Sequence, residues 1–154
     1  MVSKSAKPII ILYADDDAED RMLVKDAWEE NRLANELHCV EDGEELMDYL
    51  HRRGKYSALA GSPLPGLILL DLNMPKKDGT EALREIKCDP RLRSIPIVVL
   101  TTSKAEEDIV RAYDLGVNSF IVKPVTFPSL LELTLAISKY WFEIVELPLK
   151  EAAA

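Results

Sequence analysis

A doubly wound α/β fold with a five-stranded parallel sheet is what this sequence predicts, and three observations carry that expectation. Short apolar runs alternate five times with helix-patterned stretches. Two of the runs, LILL (67–70) and IPIVVL (95–100), are continuous rather than alternating, as in parallel strands covered on both faces. Four of the five runs end in polar chemistry: Asp15, Asp71, Thr101 and Lys123. Open α/β sheets hold their ligands at the carboxyl ends of their strands. The expected topology is flavodoxin-like, with strand order 2-1-3-4-5.

The elements follow in order. A first strand covers Ile9 to Ala14. A helix from about Ala18 to Asn31 carries Met22, Leu23, Ala27 and Trp28 at core-like spacing, and Asp17 or Asp20 is placed to cap or favour its N-terminus. Leu37 to Val40 is a short second strand. The second helix runs from Gly43 to about Arg53, with Leu46, Met47 and Leu50 on one face. The stretch GSPLPG reads as loop before the third strand, Leu67 to Leu70. Pro75, Asp78 and Gly79 punctuate a turn ahead of a third helix ending near Lys87. The fourth strand is Ile95 to Leu100, and the fourth helix, Glu106 to Leu115, stops at Gly116. Ser119 to Val122 is the fifth strand. The last helix begins near Pro128 and runs to about Val145. Leu130, Leu133, Ile137, Tyr140 and Ile144 form its expected core stripe, with Leu131, Leu135, Phe142 and Val145 outside it.

Composition narrows the function. The chain has 154 residues, 47% apolar and 30% charged, which suits one globular domain. Residues 8–140 are assigned to that domain, 1–7 to an N-terminal tail and 141–154 to a C-terminal extension. The net charge of −8 argues against a nucleic-acid partner, because a phosphate backbone would be repelled. No apolar run approaches the roughly 20 residues of a membrane helix. Cys39 and Cys88 stand alone, without metal-ligand spacing, which points to a reduced cytoplasmic protein. His38 and His51 are too far apart in sequence to suggest a metal site and read as structural.

In the 2-1-3 order the first and third strands are neighbours, about 4.8 Å apart. Asp15, Asp16 and Asp71 must then crowd together, and three carboxylates so close do not all stay ionised without a cation. A hard divalent ion resolves the repulsion, and Mg2+ suits a few carboxylates plus waters and phosphoryl oxygens. Lys123 adds a compact positive charge and Thr101 a hydroxyl donor. This set matches phosphoryl transfer to a carboxylate. Asp71 is the nucleophile, Lys123 and the metal neutralise the equatorial oxygens, and Thr101 bonds the attached group.

With those residues in place, the chain resembles the response-regulator receiver family over roughly residues 8 to 140. The matching segments are ILYADDD, LILLDLNMPKKDG, VVLTT and FIVKP, in that order. The resemblance implies that Asp15 and Asp16 are the acidic pair, with Asp16 a direct metal ligand, and that Asp71 is phosphorylated and also binds metal. Asn73 gives its backbone carbonyl to the ion. Thr101 is the switch hydroxyl, Lys123 the site lysine and Phe120 the aromatic switch. Asn73 and Ser103 occupy positions that tune the phosphoryl lifetime. A cis Lys123–Pro124 bond is also implied. Thr102 departs from the small residue usual after the switch threonine.

The segments LTTSKAEEDI and SKYWFEIVELP resemble single-domain regulators paired with bacterial and cyanobacterial phytochromes. That narrower likeness implies a sensor histidine kinase as phosphodonor, a bacteriophytochrome among the candidates. It also implies a homodimer through the fourth helix, fifth strand and fifth helix. About 15 residues follow the receiver, too few for a helix-turn-helix output. The expected role is a phosphoacceptor switch, not an enzyme.

Two rivals share part of this pattern. A phosphohydrolase of haloacid dehalogenase type also uses Asp, Mg2+, Thr and Lys, but it wants a second acid where Asn73 stands. A flavodoxin-type cofactor module needs a Ser/Thr/Gly-rich anion loop after the first strand, where this chain has Asp15-Asp16-Asp17.

Overall fold

Five parallel strands form one sheet in the order β2-β1-β3-β4-β5. A computed structural model describes residues 9–148 of the chain. The strands are β1 (Ile11–Ala14), β2 (Leu37–Val40), β3 (Leu67–Leu70), β4 (Ile97–Thr101) and β5 (Ser119–Val122). The helices between and after them are α1 (Ala18–Glu30), α2 (Gly43–His51), α3 (Gly79–Cys88), α4 (Glu106–Asp114) and α5 (Phe127–Ser138). The assigned tail 1–7 and the last residues of the 141–154 extension lie outside the described residues.

β3 and β4 are buried at every position, as their unbroken apolar runs require, whereas β5 at the sheet edge is half-buried throughout. Alternate side chains feed two cores. Leu12, Ala14, Ile68, Leu70, Ile97 and Val99 meet Leu46 and Leu50 of α2, Leu83 and Ile86 of α3 and Ala112 of α4. Ile11, Tyr13, Leu67, Leu69, Val98 and Leu100 meet Val24, Ala27 and Trp28 of α1 and Leu130 and Ile137 of α5.

Side-chain caps set four helix starts: Asp17 on α1, Asp42 on α2, Asp78 on α3 and Thr126 on α5. α4 has no side-chain cap and buries only Ala112. Gly116, at φ 103°, turns the chain off α4 as its sequence position indicates.

Three expectations need correction. Met22 and Leu23 do not enter the core; Met22 is 64% exposed, and α1 buries Val24, Ala27 and Trp28 instead. The inward face is set by α5, to which Asn31 at the end of α1 is tied. Its Nδ2 donates to the Leu131 carbonyl (2.9 Å) and to Thr134 Oγ1 (2.8 Å).

The last helix is not one regular α-helix to Val145. It becomes a π-helix at Lys139–Ile144, where the Val145 amide donates to the Tyr140 carbonyl. The extra residue in the turn shifts the helical phase. Tyr140 and Ile144 face solvent, while Trp141 and Phe142 pack inward with Leu131. Phe142 meets Trp28 edge-on, with ring centroids 6.1 Å apart.

Part of the connection after α2 is a 3-10 helix, Gly54–Leu59. It is anchored by chemistry rather than periodicity: the Tyr56 hydroxyl donates to Glu45 (2.6 Å), and the Lys55 ammonium pairs with the same carboxylate (2.7 Å). Finally, Lys123–Pro124 is trans, since the described residues contain no cis peptide bond; trans is the lower-energy form of an ordinary X–Pro bond.

Candidate functional site

Ladder register brings the strand ends into line. Ala14 pairs with Val40 on one side and Leu70 on the other, and Thr101 pairs with Val122. The next amides continue the ladder: Asp15 donates to Val40, Asp71 to Ala14 and Lys123 to Thr101. The side chains of Asp15, Asp71 and Lys123 therefore leave the same rim of the sheet.

Carboxylate oxygens of Asp15, Asp16 and Asp71 lie within 4.8 Å of one another. Asp15 and Asp71 are buried, and Asp16 is exposed. Three hard oxygen donors at this spacing fit a divalent cation such as Mg2+.

Asp15 is already heavily engaged. Its Oδ1 accepts from the Asp17 amide (2.9 Å), and its Oδ2 accepts from both the Tyr13 hydroxyl (2.5 Å) and the Lys123 ammonium. Arg21 holds the Asp15 carbonyl (2.7 Å). Burial, then the Asp15 charge and hydrogen bond, push the Tyr13 phenol far above its ordinary range, so it stays a donor.

At Asp71, Oδ1 accepts from the Thr101 hydroxyl (2.8 Å) and the Asn73 amide (3.2 Å). Burial raises the Asp71 carboxyl above its ordinary value, against the lowering pull of the Thr101 bond and the Lys123 charge. Lys123 Nζ contacts Asp15, Asp20 (2.8 Å) and Asp71 (3.4 Å). Burial acts to lower its pKa, but the Asp15 and Asp20 bonds and the surrounding negative charge outweigh it, and the ammonium is held well above its usual range.

Gly79 sits against this strand end. A Cβ there would lie 2.3 Å from the Asp71 carbonyl oxygen, so only glycine lets the start of α3 approach so closely.

The sequence-derived set thus converges: Asp15, Asp16, Asp71, Thr101 and Lys123 share one site, and Asn73 contributes its backbone beside Asp71. Phe120 stands apart from the carboxylates. It pairs with Val99 on β4, and its ring is half-buried against the α2–α3–α4 side of the sheet, the face Thr101 also points to. The Phe120 amide donates to the Tyr113 hydroxyl (3.2 Å), tying β5 to α4. Ser103 turns toward α4, where its hydroxyl donates to Asp108 (2.6 Å).

Two site residues escaped the sequence reading. Asp17 caps α1 as expected, but Asp20, read only as a helix-start acid, reaches Lys123. Its spacing from the Asp15–Asp16 pair, one helical turn on, is the signal that could have found it. Tyr13 read as a strand residue; a phenol two positions before an acid on a strand shares that acid's face, and this one bonds it.

A parallel sheet in this order, with an acid trio, a hydroxyl and a lysine along its carboxyl rim, has the fold and rim chemistry of an α/β signalling domain. Residues 11–135 match the model of the response regulator receiver domain, and the chain belongs to that family. It is a receiver-domain response regulator.

Among its relatives is response regulator Rcp1 of Synechocystis sp., 41% identical over 148 residues, covering 96% of this chain and 99% of the relative. The crystal structure of the phosphorylated cyanobacterial phytochrome response regulator RcpA aligns with a TM-score of 0.84 at 41% identity, over 92% of this chain and 99% of that one. The Mn(2+)-bound form of Rcp1 aligns with a TM-score of 0.82 at 42% identity and the same coverage.

Proposed function

We propose that this receiver accepts a phosphoryl group on Asp71, in a Mg2+-dependent reaction, from a sensor histidine kinase of phytochrome type. It then signals by changing its protein contacts. The observation that carries the reading is the surroundings of Asp71. One carboxylate is bonded by a hydroxyl, reached by a largely covered ammonium, and held within 4.8 Å of two further carboxylates.

Asp15, Asp16 and Asp71, with the Asn73 carbonyl, would hold the ion. When bound, Mg2+ supplies positive charge against the transferring phosphoryl oxygens. The chain's own residues do the rest. An Asp71 carboxylate oxygen attacks phosphorus as the bond from phosphorus to the donor's imidazole nitrogen breaks, and the electron pair leaves with the imidazole. Lys123 offers positive charge to the developing oxygens. Thr101 turns its hydroxyl from the Asp71 carboxylate to the attached group, and Phe120 fills the space so vacated. The chain turns over only its own phosphoryl group and is not an enzyme acting on a separate substrate.

The output surface is α4, β5 and α5. α4 lacks a side-chain cap and buries a single residue, so it is weakly held and suited to shifting. Val110 and Tyr113 on α4 and Phe127 at the start of α5 expose apolar area there. We assign this face to a homodimer. The receiver unit is taken as residues 8–140, with 1–7 a tail and 141–154 an extension. The relation to RcpA supports the phytochrome-type donor. Two free thiols, and described helices none of which is long and apolar enough to cross a membrane, fit a cytoplasmic location.

Incubation with acetyl phosphate, with and without Mg2+, read by intact mass, tests the reading. One added phosphoryl group is expected, dependent on Mg2+ and absent in Asp71→Asn. Uptake that survives Asp71→Asn overturns the assignment. Size exclusion of the same samples reads the dimer.

A further inference from the structure

Lys123 is encircled. Its ammonium has three donors, and three carboxylates take them: Asp15, Asp20 and Asp71. A phosphoryl group on Asp71 inherits that third donor, and drawing the ammonium in from the long 3.4 Å Asp71 contact pulls it away from Asp15 or Asp20. The three are not equally easy to release. Asp15 is fully buried and shares its oxygen with Tyr13, so water cannot take the place of the ammonium there. Asp71 is the residue being modified. Asp20 stands on the first turn of α1 with about a third of its side chain exposed (32%), so water can replace Lys123 there.

We propose that Asp20 is a positioning residue that competes with the phosphoryl group for the Lys123 ammonium, and is the partner Lys123 gives up on phosphorylation. The proposal rests on Asp71 being the phosphoacceptor. The Asp20–Lys123 pair then belongs to the resting state alone, so weakening it shifts the equilibrium toward the phosphorylated form. It also links the site to α1, because the Asp20 backbone amide is held by the capping Asp17 (3.3 Å).

Beryllofluoride, a phosphoryl mimic, is titrated into Mg2+-saturated wild type, Asp20→Asn and Asp17→Asn, with binding followed by fluorine NMR. Asp20→Asn is expected to bind about two- to fivefold more tightly, the scale of a partly exposed ion pair. Asp17→Asn removes the same charge one turn away, keeps an N-cap and does not touch Lys123, so its affinity should stay near wild type. In 15N-lysine-labelled protein, the Lys123 ammonium resonance should move on Asp20→Asn, and should move in wild type when beryllofluoride binds. An unchanged or weakened affinity in Asp20→Asn, an equal gain in Asp17→Asn, or an unmoved Lys123 resonance overturns the role of Asp20. A wild-type protein that takes no beryllofluoride overturns the phosphoacceptor reading itself, and this proposal with it.

Discussion

The Thr101 hydroxyl donates to Asp71 Oδ1 across 2.8 Å, from β4 to the end of β3, inside a site where neither residue has appreciable exposure. This bond steadies the Asp71 carboxylate at rest, and on the proposed function it is the one that re-forms on the phosphoryl group. Thr101→Ala is expected to lower stability by about 1 kcal/mol in urea unfolding, the usual scale of one such bond. Phosphoryl uptake should persist, because Asp71, the acidic pair and Lys123 are untouched. The phosphorylated variant should fail to shift its self-association on size exclusion.

Asp71 sets a pH dependence. Its folded-state carboxyl is raised, chiefly by burial. A raised acid binds its proton more tightly folded than unfolded, so its ionisation weighs against folding as pH rises through the ordinary and then the raised value. The added Mg2+ acts in the opposite sense, since it binds the ionised form. The rise in Tm on adding Mg2+ should be large at about pH 7 and shrink toward about pH 4.5, with loss beginning above the ordinary aspartate range of about 3.9. A rise in Tm that stays constant over that range would argue against Asp71 as a ligand.

Gly79 should tolerate no side chain. The Cβ of Gly79→Ala would fall 2.3 Å from the Asp71 carbonyl oxygen and 2.6 Å from Leu72 Cα, both backbone atoms with no rotamer to swing away. A loss of about 2 kcal/mol is expected, within the range for overpacking. Because the atom displaced belongs to the acceptor residue, uptake from acetyl phosphate should slow as well. Urea unfolding and timed intact-mass measurements separate the two effects.

The π-helical end should be part of the α1–α5 core rather than a loose tail. Phe142 meets Trp28 edge-on at 6.1 Å. Phe142→Ala should cost about 1–2 kcal/mol, less than a fully buried Phe because this ring is only partly covered. In a Trp141→Phe background, which leaves Trp28 as the only indole, its fluorescence should shift to the red as water reaches the ring. Unmoved emission would mean that the 139–144 turn is not packed on α1.

Much of this was legible in the residues themselves. LILL and the apolar run of β4 carry their burial in their own composition, so the parallel sheet could be read without knowing what covers it. The acids, hydroxyl and lysine could be placed on one rim, because a strand's end is local and parallel strands end on the same side. What packing decided is of another kind. Met22 points outward and Val24 inward because α5 lies where Asn31 ties it, a contact across a hundred residues of chain. Tyr140 and Phe142 exchange their expected sides because one π-turn slips the helical phase. Asp20 joins the site because Lys123, 103 residues away, arrives opposite the first turn of α1. Periodicity specifies that a helix has an apolar face, but its phase, and the partner of an exposed acid, depend on neighbours that only the folded chain brings close.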